Sequence, residues 1–143
     1  MTTPGVLQML GGEKTLRRKV SSPMKWVEAL REGLPYTSLE ALMRALGLSR
    51  QEAAATLSVP LRTLVRRKKQ RRLQSDESDR VFRLATVAAH AVEVFGTPEK
   101  AGRWLRRPNR ALGGEIPLEL LDTEIGARQV EQILGRIEYG VYS

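Results

Sequence analysis

A run of basic side chains is the densest chemical feature of the sequence: seven Lys or Arg residues and no acidic residue lie between Arg62 and Arg72. Lysine and arginine neutralise phosphates, and arginine can also donate two hydrogen bonds to the O6 and N7 atoms of guanine. Arg62 and Arg66 are four residues apart, so they share one face of a helix. The pattern predicts a helix that reads DNA bases through Arg62 and Arg66 and contacts phosphates through the basic residues that follow.

The apolar residues around this run have the spacing of a helix-turn-helix. Ala54 is the small residue where two helices approach, Leu57 and Val59 follow at three and five positions, and Leu64 follows at ten. Pro60 stands at the start of the second helix, where a missing N–H group costs nothing. Capping, turn, spacing and charge therefore agree on a helix-turn-helix that binds DNA.

The residues before the second helix complete the predicted DNA interface. Ser49 and Glu52 have the spacing of a capping box at the start of the first helix, and Ser58 stands where the turn often has glycine. Ser49 and Gln51 are placed to donate to phosphate. The predicted DNA contacts are Ser49, Gln51, Arg62, Thr63, Arg66, Arg67, Lys68 and Lys69. The alternative interpretation is a solvated basic face with a spacing that arose by chance.

Helical periodicity covers almost the whole chain and strand alternation is nearly absent, which predicts an all-α fold. The predicted helix starts are Ser22-Pro23, Thr37 or Ser38, Ser49, Pro60, residues 75–79, Thr97-Pro98 and Thr123, with short turns at 5–10 and 118–121. Residues 13–20 and 108–117 are predicted to be loops. Leu61, Leu64 and Val65 are assigned to the apolar face of their helix, and the helix after residue 79 is predicted to form a central spine.

Charge is unevenly distributed along the 143 residues. Residues 1–114 carry a net charge of +12, whereas residues 115–143 carry −4, which indicates two surfaces with different partners. The chain has no cysteine, so disulfide scaffolds, thiol nucleophiles and cysteine-ligated metals are excluded. No apolar run is long enough for a membrane span, and the expected location is the cytoplasm.

The C-terminal half contains an ordered series of motifs: Phe95-Gly96, Trp104-Leu105, Pro108-Asn109, Leu112-Gly113-Gly114, Pro117-Leu118 and Ile137-Glu138-Tyr139-Gly140. This series resembles the Xre/ParS/MbcA family of bacterial antitoxins, closely over about residues 80–143 and in layout over the whole chain. The resemblance implies an Xre-like helix-turn-helix followed by a toxin-binding domain. It also implies a homodimer that represses its own operon and a RES-domain partner toxin, which degrades NAD and whose active site the antitoxin blocks.

Aromatic residues near the chain end are candidates for the toxin contact, because aromatic side chains are favoured at the centres of interfaces. The predicted toxin-binding residues are Trp104, Arg107, Ile137, Glu138, Tyr139, Val141, Tyr142 and Ser143. The alternative is that Ile137 and Tyr139 complete the helical core and the tail frays. In that case another surface, such as the one around Trp104 and Arg107, would bind the toxin.

The sequence offers no catalytic or metal-binding constellation. His90 is the sole histidine and lies within the apolar spine helix, so a core or capping role is favoured over a metal ligand. Gly113-Gly114 lacks the Lys-Ser/Thr of a phosphate-binding loop. The chain is therefore predicted not to be an enzyme and to need no cofactor and no metal.

Together these patterns predict an arm and helix over residues 1–37, a helix-turn-helix part over 38–75 and a helical toxin-binding domain over 76–143. The predicted function is an antitoxin that neutralises a RES-type toxin and binds double-stranded operator DNA. The alternative function is a dimeric helix-turn-helix transcription regulator without a toxin partner.

Overall fold

The computed structural model describes residues 3–140, with side chains from residue 5 onward. The helices in this range are α1 (Thr3–Met9), α2 (Gly12–Leu16), α3 (Pro23–Glu32), α4 (Tyr36–Leu46), α5 (Arg50–Leu57), α6 (Leu61–Gln70), α7 (Ser75–Phe95), α8 (Pro98–Leu105) and α9 (Glu124–Glu138). Two 3₁₀ helices, Arg110–Leu112 and Pro117–Leu120, lie between α8 and α9. No strand occurs between residues 3 and 140, which confirms the all-α prediction.

Most helix boundaries follow from local capping chemistry. The hydroxyls of Ser22, Thr97 and Thr123 accept the backbone N–H group three residues later at 3.0–3.2 Å, as predicted. Pro23 and Pro98 occupy the first helical position after two of these caps. Gly47 ends α4 in the left-handed conformation, which glycine adopts at no steric cost.

Two local predictions near the N-terminus are wrong. Residues 12–16 form a helix rather than a loop, and Leu16 and Val20 are buried, so this segment covers the core instead of extending from it. Helix α4 starts at Tyr36, not at Thr37 or Ser38. The Ser38 side chain is buried and its hydroxyl donates to the Pro35 carbonyl at 2.7 Å, so it does not cap the helix.

The connection between α8 and α9 is more ordered than a loop, although residues 108–117 were predicted to be one. α8 ends at Leu105, slightly earlier than predicted, and a 3₁₀ helix follows. Asn109 organises this connection from a buried position, because its side-chain oxygen accepts the Ala111 N–H group at 2.9 Å. Its own N–H group donates to the Glu115 carbonyl at 2.9 Å.

Helix α7 is the central spine, as predicted. It packs against α1, α3, α5, α8 and α9, and its small and branched side chains are buried on more than one side. One hydrophobic core runs from Val6 in α1 to Leu134 in α9. The helix-turn-helix and the C-terminal helices are therefore held by the same long helix.

Candidate functional surfaces

Helices α5 and α6 form a compact helix-turn-helix. Ala54, Leu57 and Leu64 are buried at the contact of the two helices, as their spacing predicts. Ser58 makes the turn in the left-handed conformation, with φ 56°, at the position where glycine is common. The turn is closed by a hydrogen bond from the Val59 N–H group to the Ala54 carbonyl at 3.0 Å.

Helix α6 presents a basic face to solvent. Arg62, Arg66 and Lys69 are exposed, and they lie on the side of the helix opposite the buried residues. Leu61 and Val65 are 39% and 40% exposed on this same side. Their assignment to the apolar face is therefore wrong, and only Leu64 of the three packs inward. The exposure of Leu61 and Val65 was not predictable from residue types, because apolar side chains on a helix ordinarily face the core.

Arg67 does not belong to this basic face, although the sequence predicts a DNA contact. The residue is 8% exposed, and its Nε atom donates to Glu77 Oε1 at 2.7 Å. A further bond joins its Nη1 atom to Gln70 Oε1 at 3.1 Å. The hydrogen bond to Glu77 raises the pKa of Arg67 further above its ordinary value, and burial only partly opposes this effect. Arg67 is thus an internal anchor of α6.

The other predicted DNA contacts differ in their exposure and in their contacts within the chain. Thr63 is buried beside Leu64, so the structure removes it from the interface. Ser49 is exposed, but its hydroxyl accepts the Glu52 N–H group at 3.1 Å as part of the predicted capping box. Gln51 is exposed at the start of α5, and Lys68 lies 3.7 Å from Glu40. Among the predicted DNA contacts, the exposed side chains with no hydrogen bond or ion pair to another described residue are Gln51 of α5 and Arg62, Arg66 and Lys69 of α6.

Glu52 connects the helix-turn-helix to the C-terminal half. One of its carboxylate oxygens accepts the Ser49 N–H group at 2.9 Å, and the other accepts from Arg106 Nε at 3.2 Å. The backbone hydrogen bond from Ser49 lowers the pKa of Glu52, and Arg106 lowers it further. The carboxylate therefore holds the start of α5 and the end of α8 together.

The predicted toxin-binding residues are divided between two places. Trp104 is half-buried, and its ring lies 5.4 Å from that of Phe95, whereas Arg107 is exposed just after α8. Ile137 and Tyr139 lie at the end of α9, where Ile137 is half-buried and Tyr139 is 80% exposed. The predicted contacts Val141, Tyr142 and Ser143 lie outside the described residues.

The end of α9 is attached to α7 through His90. The Nδ1 atom of His90 lies 2.9 Å from Glu131 Oε1, and its Nε2 atom lies 3.1 Å from Glu138 Oε1. Glu138, predicted to contact the toxin, is therefore engaged within the chain. The sequence favoured a core or capping role for His90, and this prediction is wrong. The side chain instead links α7 to α9. No local sequence signal reveals it, because its partners are 41 and 48 residues away.

This cross-link makes stability depend on pH. Burial alone would lower the pKa of His90, but the hydrogen bonds and charges of Glu131 and Glu138 outweigh it and raise the pKa above 6.5. The stabilisation is therefore complete below the unfolded pKa of about 6.5 and is lost as pH rises through the raised folded pKa. We therefore expect the free energy of unfolding to fall as pH rises above about 6.5. In His90→Gln this fall should be smaller, and chemical denaturation at several pH values would measure it. An equal fall in the unmodified chain and in His90→Gln would show that the contacts of His90 with Glu131 and Glu138 do not cause the pH dependence.

The described part of the chain contains neither a cluster of metal-binding side chains nor a membrane-spanning helix. Between residues 3 and 140, no group of three or more His, Cys, Asp or Glu side chains is placed to hold a metal ion. Over the same residues, no helix is long and apolar enough to span a membrane.

Two family models match the chain in the order that the motifs predict. The antitoxin Xre-like helix-turn-helix domain matches residues 25–85, which include α3 to α6 and the first half of α7. The antitoxin Xre/MbcA/ParS C-terminal toxin-binding domain matches residues 90–140, which include the end of α7, α8 and α9. The spine helix α7 thus contributes to both.

Individual relatives agree with these matches. The chain is 36% identical over 116 residues to the antitoxin Xre of Photorhabdus laumondii. These residues make up 80% of this chain and 78% of the relative. It is 45% identical over 83 residues to the antitoxin Xre of Pseudomonas putida. These residues make up 57% of this chain and 52% of that relative. Relatives named as antitoxins also support the prediction that the chain is not an enzyme.

The fold has a counterpart among solved structures. A chain of the M. tuberculosis MbcT-MbcA toxin-antitoxin complex superposes with a TM-score of 0.58 and 22% sequence identity. The match covers 76% of this chain and 96% of that one, so the likeness of fold extends over most of both chains. With a relative 36% identical over 78% of its own length, the chain belongs to the Xre family of antitoxins.

Proposed function

We propose that this chain neutralises a RES-domain, NAD-degrading toxin by direct binding and represses its own operon by binding operator DNA as a homodimer in the cytoplasm. The observation that carries the toxin-binding part is the exposed Tyr139 at the end of α9, inside the segment that matches the toxin-binding domain. An aromatic ring 80% exposed beside a half-buried Ile137 is a suitable anchor for a partner protein.

Charge supports an insertion of this end into the entrance of a toxin pocket. Residues 115–143 carry a net charge of −4, and a pocket that binds the pyrophosphate of NAD is expected to be basic. Glu131 and Glu138 are directed to His90, and Glu124 lies 3.4 Å from Arg128, so the acidic side chains outside these pairs are those before α9, at the end of the helix opposite Tyr139. Tyr139 therefore supplies aromatic contact at the tip, and the acidic residues steer the approach.

Deletion of residues 139–143 tests this proposal while it retains the Glu138–His90 contact. We expect the truncated chain to stay folded by circular dichroism and to bind its co-expressed RES toxin about tenfold more weakly, since loss of an aromatic anchor costs more than about 1.4 kcal/mol. Tyr139→Ala should reproduce most of this loss. NAD levels in cells and affinity of the purified pair provide the measurement.

Ile125→Ala is the matched control, because Ile125 is 73% exposed at the opposite end of the same helix. It should inhibit the toxin as well as the unmodified chain. If the truncated chain protects NAD fully, the tail does not block the toxin and Arg107→Ala becomes the next test. If the full chain neither rescues cells nor forms a complex, the antitoxin role is wrong and the regulator without a toxin partner remains.

The DNA-binding part of the proposal rests on the exposed arginines of α6. We expect Arg62→Ala or Arg66→Ala to cost about 1–3 kcal/mol at one base pair of the operator, because each can read a guanine through two hydrogen bonds. Lys69→Ala should weaken binding evenly across sequences and reduce the dependence of affinity on salt. Electrophoretic mobility or fluorescence anisotropy with operator and scrambled duplexes measures both effects.

Arg103→Ala provides the control, because Arg103 is an exposed arginine of α8, away from α6. Its operator affinity should equal that of the unmodified chain. One recognition helix covers only a half-site, so sedimentation of the complex should show two copies on a duplex with two half-sites. Unchanged operator affinity in both the Arg62 and Arg66 variants would refute DNA reading by α6.

A further inference from the structure

The solvent-facing side of α6 has an apolar centre within its basic face. Val65 is 40% exposed and Leu61 is 39% exposed, although Leu64 in the same helix is completely buried. On a helix with 3.6 residues per turn, Val65 lies about 40° from both Leu61 and Lys69 and about 60° from Arg62. Val65 is thus surrounded by the side chains that are proposed to contact DNA.

A branched apolar side chain in the middle of a polyanion-binding face adds to binding where the polyanion offers it an apolar group. The floor of the DNA major groove offers one such group, the C5-methyl of thymine, which distinguishes thymine from the other bases. A second copy of this chain is a poor partner for the same face. Docking two such faces would bring Arg62, Arg66 and Lys69 of each copy together, and like charges across an interface cost several kcal/mol.

We propose that Val65, with Leu61 beside it, contacts thymine methyl groups in the operator half-site and so determines sequence specificity. The inference rests on the proposed binding of DNA by α6. Arg62 lies about 4.5 Å before Val65 along the helix axis and Arg66 about 1.5 Å after it, given a rise of 1.5 Å per residue. The half-site therefore places a thymine between the guanines that Arg62 and Arg66 read.

Replacement of single thymines by deoxyuridine tests the contact, because deoxyuridine retains every hydrogen-bonding group of thymine and lacks only the methyl. Duplexes are first selected by the full-length protein from a random 20-base-pair pool, and each thymine is then replaced in turn. We expect one replacement per half-site to weaken binding about fourfold, the effect of burying one methyl group. Val65→Ala should weaken binding to the thymine duplex and be indifferent to that replacement.

Two comparisons make the result specific to Val65. Ile125→Ala removes an apolar side chain of α9 that is even more exposed than Val65, and it should keep the full sensitivity to the methyl group. Val65→Ala should fold normally, because alanine favours helix more than valine does and Val65 does not belong to the hydrophobic core. Circular dichroism and sedimentation of the free protein confirm its fold and oligomeric state.

The outcomes distinguish a failure of the thymine contact from a failure of DNA binding by α6. If no duplex is selected, DNA binding by this chain is wrong and the thymine contact is wrong with it. If duplexes are selected but every deoxyuridine replacement is silent, or if Val65→Ala keeps the full methyl sensitivity, only the thymine contact is overturned. If Val65→Ala changes the oligomeric state and weakens all duplexes equally, the side chain faces a second copy instead.

Discussion

Glu77→Ala is expected to lower the free energy of unfolding by about 3–5 kcal/mol, because it leaves the Arg67 guanidinium buried without its carboxylate partner. Both side chains of this pair are almost inaccessible, and Nε and Oε1 are 2.7 Å apart. The same Glu77 oxygen accepts the Gln74 N–H group at 2.8 Å, so the substitution also removes the capping interaction at the start of α7. Urea denaturation monitored by circular dichroism would measure the loss.

Asp76→Ala is the matched control for this substitution. Asp76 precedes Glu77 in the same helical turn, but its side chain is largely exposed and lies 3.9 Å from Arg80, so its loss should cost less than about 1 kcal/mol. Adding Arg67→Met to Glu77→Ala should recover part of the stability, since it removes the uncompensated charge. A cost for Glu77→Ala as small as that for Asp76→Ala would show that Arg67 finds water in place of its partner.

The Arg67–Glu77 pair also illustrates why the DNA interface was only partly predictable. Residue types identified α6 as basic, and the caps at Ser49 and Ser22 followed from rules that act within three or four residues. Which face of α6 is covered depends on α5 and α7, which lie on either side of it in the chain. Arg67 was therefore grouped with the surface arginines, and Val65 with the apolar face of α6.

The C-terminal site was less predictable for the same reason. The exposed position of Tyr139 was expected from its place near the chain end, and the structure agrees with that expectation. The engagement of Glu138 by His90 required the packing of α9 on α7, which no periodicity specifies. Likewise, the burial of Val20 depends on the path of residues 12–20 across the core, and a basic composition alone indicated solvent.

Gly102 in α8 marks a close approach between the toxin-binding half and the N-terminal half. A Cβ atom at this position would lie 2.3 Å from the backbone oxygen of Leu46 at the end of α4, so α8 and α4 can approach this closely only through glycine. Backbone atoms cannot rotate away as a flexible side chain can. Gly102→Ala is therefore expected to cost about 3 kcal/mol of stability, the upper end of the usual overpacking penalty.

Gly135→Ala in α9 separates this clash from the general effect of alanine in a helix. A Cβ atom at Gly135 would meet nothing within 4 Å, so its substitution should stabilise the chain by about 0.5–1 kcal/mol. Opposite signs for the two substitutions, measured by urea denaturation, are the expected result. Because α8 carries Trp104, a folded Gly102→Ala chain should also show altered tryptophan fluorescence. Equal stabilisation by both substitutions would mean that α8 withdraws from α4 at no cost, and that this close approach does not fix how the two halves are joined.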